Sequence, residues 1–166
     1  VRFQLKAGAD TYVVARSIIV DADACPVKAE IEQAGRQFGV QVVLVASFDH
    51  KMTESPGVKV VQVDRSDQSV DLYIANQIRS GDILVTQDFG LAALGLAKGS
   101  ICLTNRGQEY TDSSIDYLLE RRHASAKLRR NGKHTKGPKP FTEADRKNFL
   151  HGLTNLLKDL QEIEIK

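Results

Sequence analysis

The sequence predicts an α/β protein: three layers, α/β/α, around a mostly parallel sheet, with further helices at the C-terminal end. Three observations predict it. Short β-rich apolar runs alternate with segments of helical period between residues 17 and 120, the pattern of strands joined by crossover helices. The run Val42-Val-Leu-Val45 is apolar without alternation, as expected of a strand covered on both faces. Breakers at Gly39 and at Ser80-Gly81 separate helical periods from the strands that follow.

Taken in order, residues 1–16 read as an N-terminal extension, because Ala7-Gly-Ala-Asp10 interrupts any period. Ile18, Ile19 and Val20 read as a short buried strand that delivers Asp21 and Asp23 at its end. Pro26 is expected to open a helix at its first position, with Val27, Ile31, Ala34 and Phe38 on one face and Gly39 as its left-handed stop. Val40–Ala46 is a second strand, and the polar stretch 47–57, broken by Pro56-Gly57, is a loop. Val58–Val63 is a third strand. Asp67 or Ser69 caps a helix expected to run to Arg79. Asp82–Thr86 is a fourth strand, Leu91–Ala97 a short apolar helix and Ser100–Leu103 a fifth strand. The α/β domain is assigned to 17–120. Ile115, Leu118 and Leu119 start a helix that continues into a basic helix end and loop, 121–140. Thr142-Glu-Ala-Asp145 has helix-start spacing. It opens a C-terminal helix in 141–166 whose apolar face, from Phe149 to Leu160, packs back on the domain.

The chain has 166 residues, 42% of them hydrophobic, enough for one compact core. Its formal charge is only +2, but the distribution is uneven. Residues 1–120 carry 11 Lys and Arg against 16 Asp and Glu, whereas 121–140 carry eight Lys and Arg and no acid. Cys25 and Cys102 give neither a disulfide framework nor metal-ligand spacing, and His50, His123, His134 and His151 show no ligand spacing to one another. A reducing cytoplasm is the expected location. No apolar run approaches the length of a membrane span and no signal-peptide pattern is present. Oligomeric state leaves no mark in the sequence.

The chemistry-bearing residues are acids at strand ends. Asp21 and Asp23 end the first strand, and in open α/β sheets ligands bind outside the carboxyl ends of strands. Two close carboxylates there raise each other's pKa unless a cation neutralises them. Asp67 and Asp71 are one helical turn apart, and Ile74 and Ile78 place Asp71 on the face turned toward the protein or a cleft edge. Asp88 follows the fourth strand, whereas Asp82 precedes it and reads as a turn residue. Asp21, Asp23, Asp71 and Asp88, with Asp67 as a further candidate, are therefore expected at one edge of the sheet. Oxygen-only ligands suit Mg²⁺ or Mn²⁺, and such a site can activate water for in-line phosphoryl displacement.

Several motifs occur in order: Val20-Asp-Ala-Asp-Ala-Cys-Pro-Val-Lys28, Asp67 with Asp71, Gly81-Asp-Ile-Leu-Val-Thr-Gln-Asp88 with Leu91-Ala92, Asn105-Arg-Gly107, Gly137-Pro138 and Asp145-Arg146. From about residue 17 to 160 the chain resembles the YaiI/YqxD family of largely uncharacterised bacterial proteins, which is similar to PIN-domain nucleases. The resemblance implies a PIN-like fold with an acidic cluster binding Mg²⁺ or Mn²⁺. It carries Asp21 onto the first-strand acid, Asp71 onto the mid-chain helix acid and Asp88 onto the acid after the Thr-x-Asp strand. A metal-dependent nuclease cutting RNA or DNA follows as the leading expectation. Asp21, Asp71 and Asp88 are its ligands, joined by Asp67, and Asp23 is a ligand or the base that orients water.

The basic residues Arg121, Arg122, Lys127, Arg129, Arg130, Lys133, Lys136 and Lys139 lack interleaved aromatics. They suit phosphate contact rather than base stacking, with RNA the favoured partner; a solvated surface is the plain alternative. Lys28 and Arg106 are candidate phosphate contacts, Arg106 through its bidentate fork. Cys25 reads as a buried packing residue at a helix start. Two other function classes compete. Val20-Asp-Ala-Asp23 also resembles the strand-end motif of haloacid-dehalogenase-type phosphatases, with Asp21 as covalent nucleophile and Asp23 as general acid. The third is a non-catalytic RNA-binding protein on a degenerate PIN fold.

Overall fold

The computed structural model describes residues 5–7, 11–13, 16–64, 69–134, 137 and 139–165; Asp67 and Lys136 lie outside the described residues. In chain order the elements are β1 (Leu5–Ala7), β2 (Thr11–Val13), β3 (Ser17–Asp21), α1 (Lys28–Phe38), β4 (Gln41–Ser47), β5 (Val58–Val63), α2 (Val70–Gln77), β6 (Ile83–Val85), α3 (Phe89–Ala97), β7 (Ile101–Leu103), α4 (Asp112–Arg130) and α5 (Glu143–Ile165). Strands β1 and β2 pair antiparallel as a small separate sheet. The main sheet has five parallel strands in the order β5-β4-β3-β6-β7.

Both faces of that sheet are covered, because its strands are apolar on both sides. Ile18 and Val20 of β3 join a core with Ile31 and Ala34 of α1 and Phe149, Leu153 and Leu157 of α5. Ile19, one residue out of phase, joins the opposite core with Val70 and Ile74 of α2, Leu91 and Ala92 of α3 and Ile115 of α4. The three-layer α/β/α arrangement expected from the sequence is the observed one.

Two local expectations, the start of α1 and the end of α2, are corrected, and the loop expected between β4 and β5 is present. Helix α1 starts at Lys28 rather than Pro26; its N-cap is Val27, which supplies no side-chain cap. Pro26 lies in the preceding turn, and its carbonyl accepts a hydrogen bond from the Arg146 guanidinium of α5. Helix α2 starts after Ser69, whose hydroxyl accepts from the Leu72 amide, and ends at Gln77. The β4–β5 crossover, 48–57, contains no helix, and its Met52 packs on the α1/α5 core.

Helix α5 docks through the stretch after β7. A Cβ added to Gly107 would lie 2.9 Å from the Asn148 carbonyl oxygen and from Phe149 Cα, and one added to Gly152 would lie 2.9 Å from the Gly107 oxygen. Only glycine permits this backbone approach, and Gly107 also has φ +80°. A capping box between Thr142 and Asp145 starts the helix: the Thr142 amide donates to Asp145 Oδ2 at 2.9 Å and the Asp145 amide to Thr142 Oγ1 at 3.2 Å. Among the described residues no helix is long and apolar enough to cross a membrane.

Candidate active site

The strand order reverses between β3 and β6. From β3 the chain moves outward to β4 and β5, then returns to β6 and moves the other way to β7. Such a switch point leaves a crevice at the carboxyl ends of the two central strands. The last residue of β3 is Asp21, and the first residue after β6 is Thr86.

Thr86, 1% exposed, ties the two strand ends together. Its hydroxyl donates to Asp21 Oδ2 at 3.0 Å and accepts the Asp88 amide at 3.0 Å, one donor and one acceptor role on a single oxygen. Asp88 is the N-cap of α3: its Oδ1 accepts from the amides of Gly90 at 2.9 Å and Leu91 at 3.1 Å. The Tyr110 hydroxyl donates to the Thr86 carbonyl at 3.0 Å. Burial pushes that phenol up to about 12, with the charge of Asp88 adding to the rise.

Asp23 is held from the other side. Its Oδ1 accepts from the Ser47 amide at 2.9 Å and the Ser47 hydroxyl at 3.2 Å, and lies 3.0 Å from His50 Nδ1. A carboxylate can only accept, so Nδ1 carries the proton and Nε2 faces away from Asp23. Asp71 is in the first turn of α2 and exposed, at the rim. The buried stripe of that helix runs through Val70 and Ile74 and on to Ile78, so Asp71 is one residue off it rather than part of it. Asp21, Asp23, Ser47, Ser69, Val70 and Asp71 line one open cleft of about 380 Å³.

Burial raises the Asp21 carboxyl above the usual aspartate range; the Thr86 hydrogen bond opposes this, and the charges of Asp23, Asp71 and Asp88 raise it further. Asp23, Asp71 and Asp88 are thus close enough for their charges to act on Asp21. Hard oxygen donors crowded by like charges match a hard divalent cation in chemistry. In spacing, no three His, Cys, Asp or Glu side chains among the described residues form a ligating group. The bonds already made explain part of this: Asp88 Oδ1 is turned to its helix amides and Asp23 Oδ1 to Ser47 and His50.

Other sequence candidates are placed elsewhere. The Lys28 ammonium donates to the Ala22 carbonyl at 3.4 Å, within the turn that follows β3. The Arg106 guanidinium is engaged by the C-terminal segment: Nε lies 3.5 Å from Asp145 Oδ2, Nη2 donates to the Lys139 carbonyl at 2.9 Å, and the group lies over the Phe141 ring. Arg106 and Gly107 are thus explained by docking of α5, whereas the Asn105 amide donates to Gln87 Oε1 at 2.7 Å. Cys25 is buried and its thiol is pushed up to about 11 by burial, which suits packing. Asp82 lies at the opposite edge of the sheet, where Oδ1 accepts from the Ser17 amide at 2.9 Å and Oδ2 from the Arg79 amide at 3.0 Å. Arg121 and Arg122 lie on α4, over the rings of Tyr117 and Phe89; Arg129 and Arg130 end that helix, and Lys133 follows it, all exposed. Ser47 and His50 carried no signal in the sequence, since only the β3–β4 pairing brings them to Asp23. Thr86 was visible only as part of a motif.

Residues 19–159 match the family described as "Uncharacterized BCR, YaiI/YqxD family". A UPF0178 protein of Bacillus velezensis is 47% identical over 145 residues, covering 87% of this chain and 86% of its own length. One from Halalkalibacterium halodurans is 46% identical over 142 residues, 86% of this chain and 90% of its own. One from Listeria monocytogenes is 44% identical over 142 residues, 86% of this chain and 95% of its own. No solved structure matches.

Proposed function

The chain belongs to the YaiI/YqxD family, and from that premise we propose that it is a PIN-like, metal-dependent phosphodiesterase acting on nucleic acid, with RNA favoured over DNA. The observation that carries this reading is the convergence of Asp23, Asp71 and Asp88 on the half-buried Asp21 at the switch point of the sheet. Crowded carboxylates of this kind are costly without a counter-ion.

Asp21, Asp71 and Asp88 are the residues that would hold Mg²⁺ or Mn²⁺, on closing together from their present spacing, which forms no ligating group among the described residues. Bound there, such an ion lowers the pKa of a coordinated water and offsets charge building on a phosphoryl group. The chain's own residues supply position. Thr86 fixes Asp21 relative to the start of α3. Capping by Asp88 locks its own rotamer against Gly90 and Leu91. Asp23, held on Ser47 and His50, lines the cleft beside Asp21 and orients the attacking water.

The test is hydrolysis of labelled RNA and DNA by the purified chain with Mg²⁺, with Mn²⁺ and with chelator. Asp21→Asn keeps the acceptor for Thr86 and removes the charge; it is expected to lower metal-dependent cleavage by at least about 100-fold while circular dichroism stays unchanged. Cleavage by Asp21→Asn at the level of the unaltered chain would refute the assignment. An aspartyl-phosphate trapped on Asp21 would replace it with the phosphatase reading. Salt-sensitive RNA binding without any cleavage would leave a binding protein.

A further inference from the structure

The basic residues gain a direction from the packing of α4. Helix α3 begins at Asp88, at the acid edge, and runs back across the sheet. Helix α4 begins against its far end, where Thr111 and Asp112 adjoin Ala93, Leu96 and Ala97. Ten residues on, the Arg122 guanidinium lies 5.6 Å from the ring centre of Phe89, the first residue of α3. The two helices therefore run antiparallel, and α4 reaches the acid edge at about Arg122. It does not stop there, because the helix continues to Arg130. Eight further residues at about 1.5 Å each carry it roughly 12 Å past the level of Phe89.

Nothing buries that end: no residue from 121 to 130 is buried. It carries Lys127, Arg129 and Arg130 and is followed by Lys133, with no acid from 121 to 140. Favourable contact with the helix dipole accounts for cations in a last turn, but not for Arg122 a turn and more earlier, nor for Lys133 beyond the cap. Arg129 is seven residues from Arg122, two turns on, so the two share the face that looks along α3 toward Asp88.

We propose that the projecting half of α4 is a phosphate track that leads a polynucleotide strand into the acid cleft, so that the site takes chains of several nucleotides rather than mononucleotides or small phosphates. This rests on the reading of the cleft as a phosphodiester site and names its substrate. The acids alone repel a phosphate backbone; a cationic rod beginning beside Asp88 offsets that repulsion at the entrance. At about 3.4 Å per nucleotide along a helical strand, 12 Å corresponds to three or four phosphates.

The experiment measures binding in chelator, where no turnover occurs, with single-stranded RNA from a dinucleotide to a dodecamer over a range of salt. Neutralising Arg129→Gln, Arg130→Gln and Lys133→Gln together is expected to weaken dodecamer binding at low salt by about tenfold or more. It should also reduce the slope of log affinity against log salt by about 2, three contacts at roughly 0.7 each. Neutralising the exposed Arg36, Lys147 and Lys158, which lie on α1 and α5 across the sheet, changes net charge equally and should leave the slope unaltered. Arg129→Lys with Arg130→Lys should bind like the unaltered chain, which separates charge from fraying of the helix end. The track is overturned if the two neutralised variants weaken binding alike, if the dinucleotide binds as tightly as the dodecamer, or if the unaltered chain prefers anionic vesicles to RNA. Binding that obeys these expectations without metal-dependent cleavage sinks the nuclease reading alone. Cleavage that is indifferent to the α4 variant sinks the track alone.

Discussion

The two ends of the central strands each hold an aspartate, buried at one end and half-buried at the other, and they treat it in opposite ways. At the amino edge Asp82 is 3% exposed, and each carboxylate oxygen accepts a backbone amide, from Ser17 and from Arg79. At the carboxyl edge Asp21 accepts one hydroxyl, from Thr86, and faces three further carboxylates. Asp82 closes a gap in the backbone hydrogen bonding where β3 begins, and its charge is answered locally. Asp21 has one hydroxyl against three like charges. The difference teaches that a buried acid is informative about function only after its partners are counted.

The strongest way to break this comparison is Asp82→Ala. It strands the Ser17 and Arg79 amides and should lower stability by about 3 kcal/mol, seen as a fall in the denaturation midpoint, with unchanged activity per folded molecule. Loss of activity without loss of stability would place Asp82 with the functional acids after all. Asp88 tests the middle ground, since it is both cap and cleft acid. Asp88→Ala should cost about 1 kcal/mol, whereas Asp88→Asn, an equally good cap, should cost a few tenths; both should lose metal-dependent cleavage. Equal destabilisation by the two would mean that the cap is not what Asp88 contributes to the fold.

The smallest effect has the opposite sign. The pKa of Asp21 is raised in the folded chain, so the native state favours its protonated form. The stability linked to it is present below the unfolded pKa and lost as pH rises through the folded pKa. In chelator at neutral pH, Asp21→Asn should therefore melt higher than the unaltered chain, and the gap should close toward acid, below the unfolded aspartate value. A lower melting temperature for Asp21→Asn at neutral pH would show that Asp21, like Asp82, is a structural acid.

Much of this was legible in the residues. The apolar run Ile18-Ile-Val20, the Gly39 stop and the unbroken 42–45 run specify parallel strands covered by helices, and the observed sheet has them. The positions of Asp21 and Asp88 after their strands place both at the carboxyl edge, where they are found. Asp71 is at the cleft edge that its place on the helix allowed, but one residue off the buried stripe, because Ser69 caps that helix and Val70 heads the stripe. Arg106 looked like a phosphate contact and holds α5 instead, because its partner Asp145 is 39 residues away in sequence.

By itself, then, the sequence determined the layers, the covered sheet and the strand-end acids, since period and local stop signals operate within a few residues. Tertiary structure alone decided which carboxylates share a field, that Ser47 and His50 grip Asp23, and that α4 passes the acid edge. Those facts depend on strand order and on helix-to-helix packing, which join residues far apart in the chain and leave no period along it.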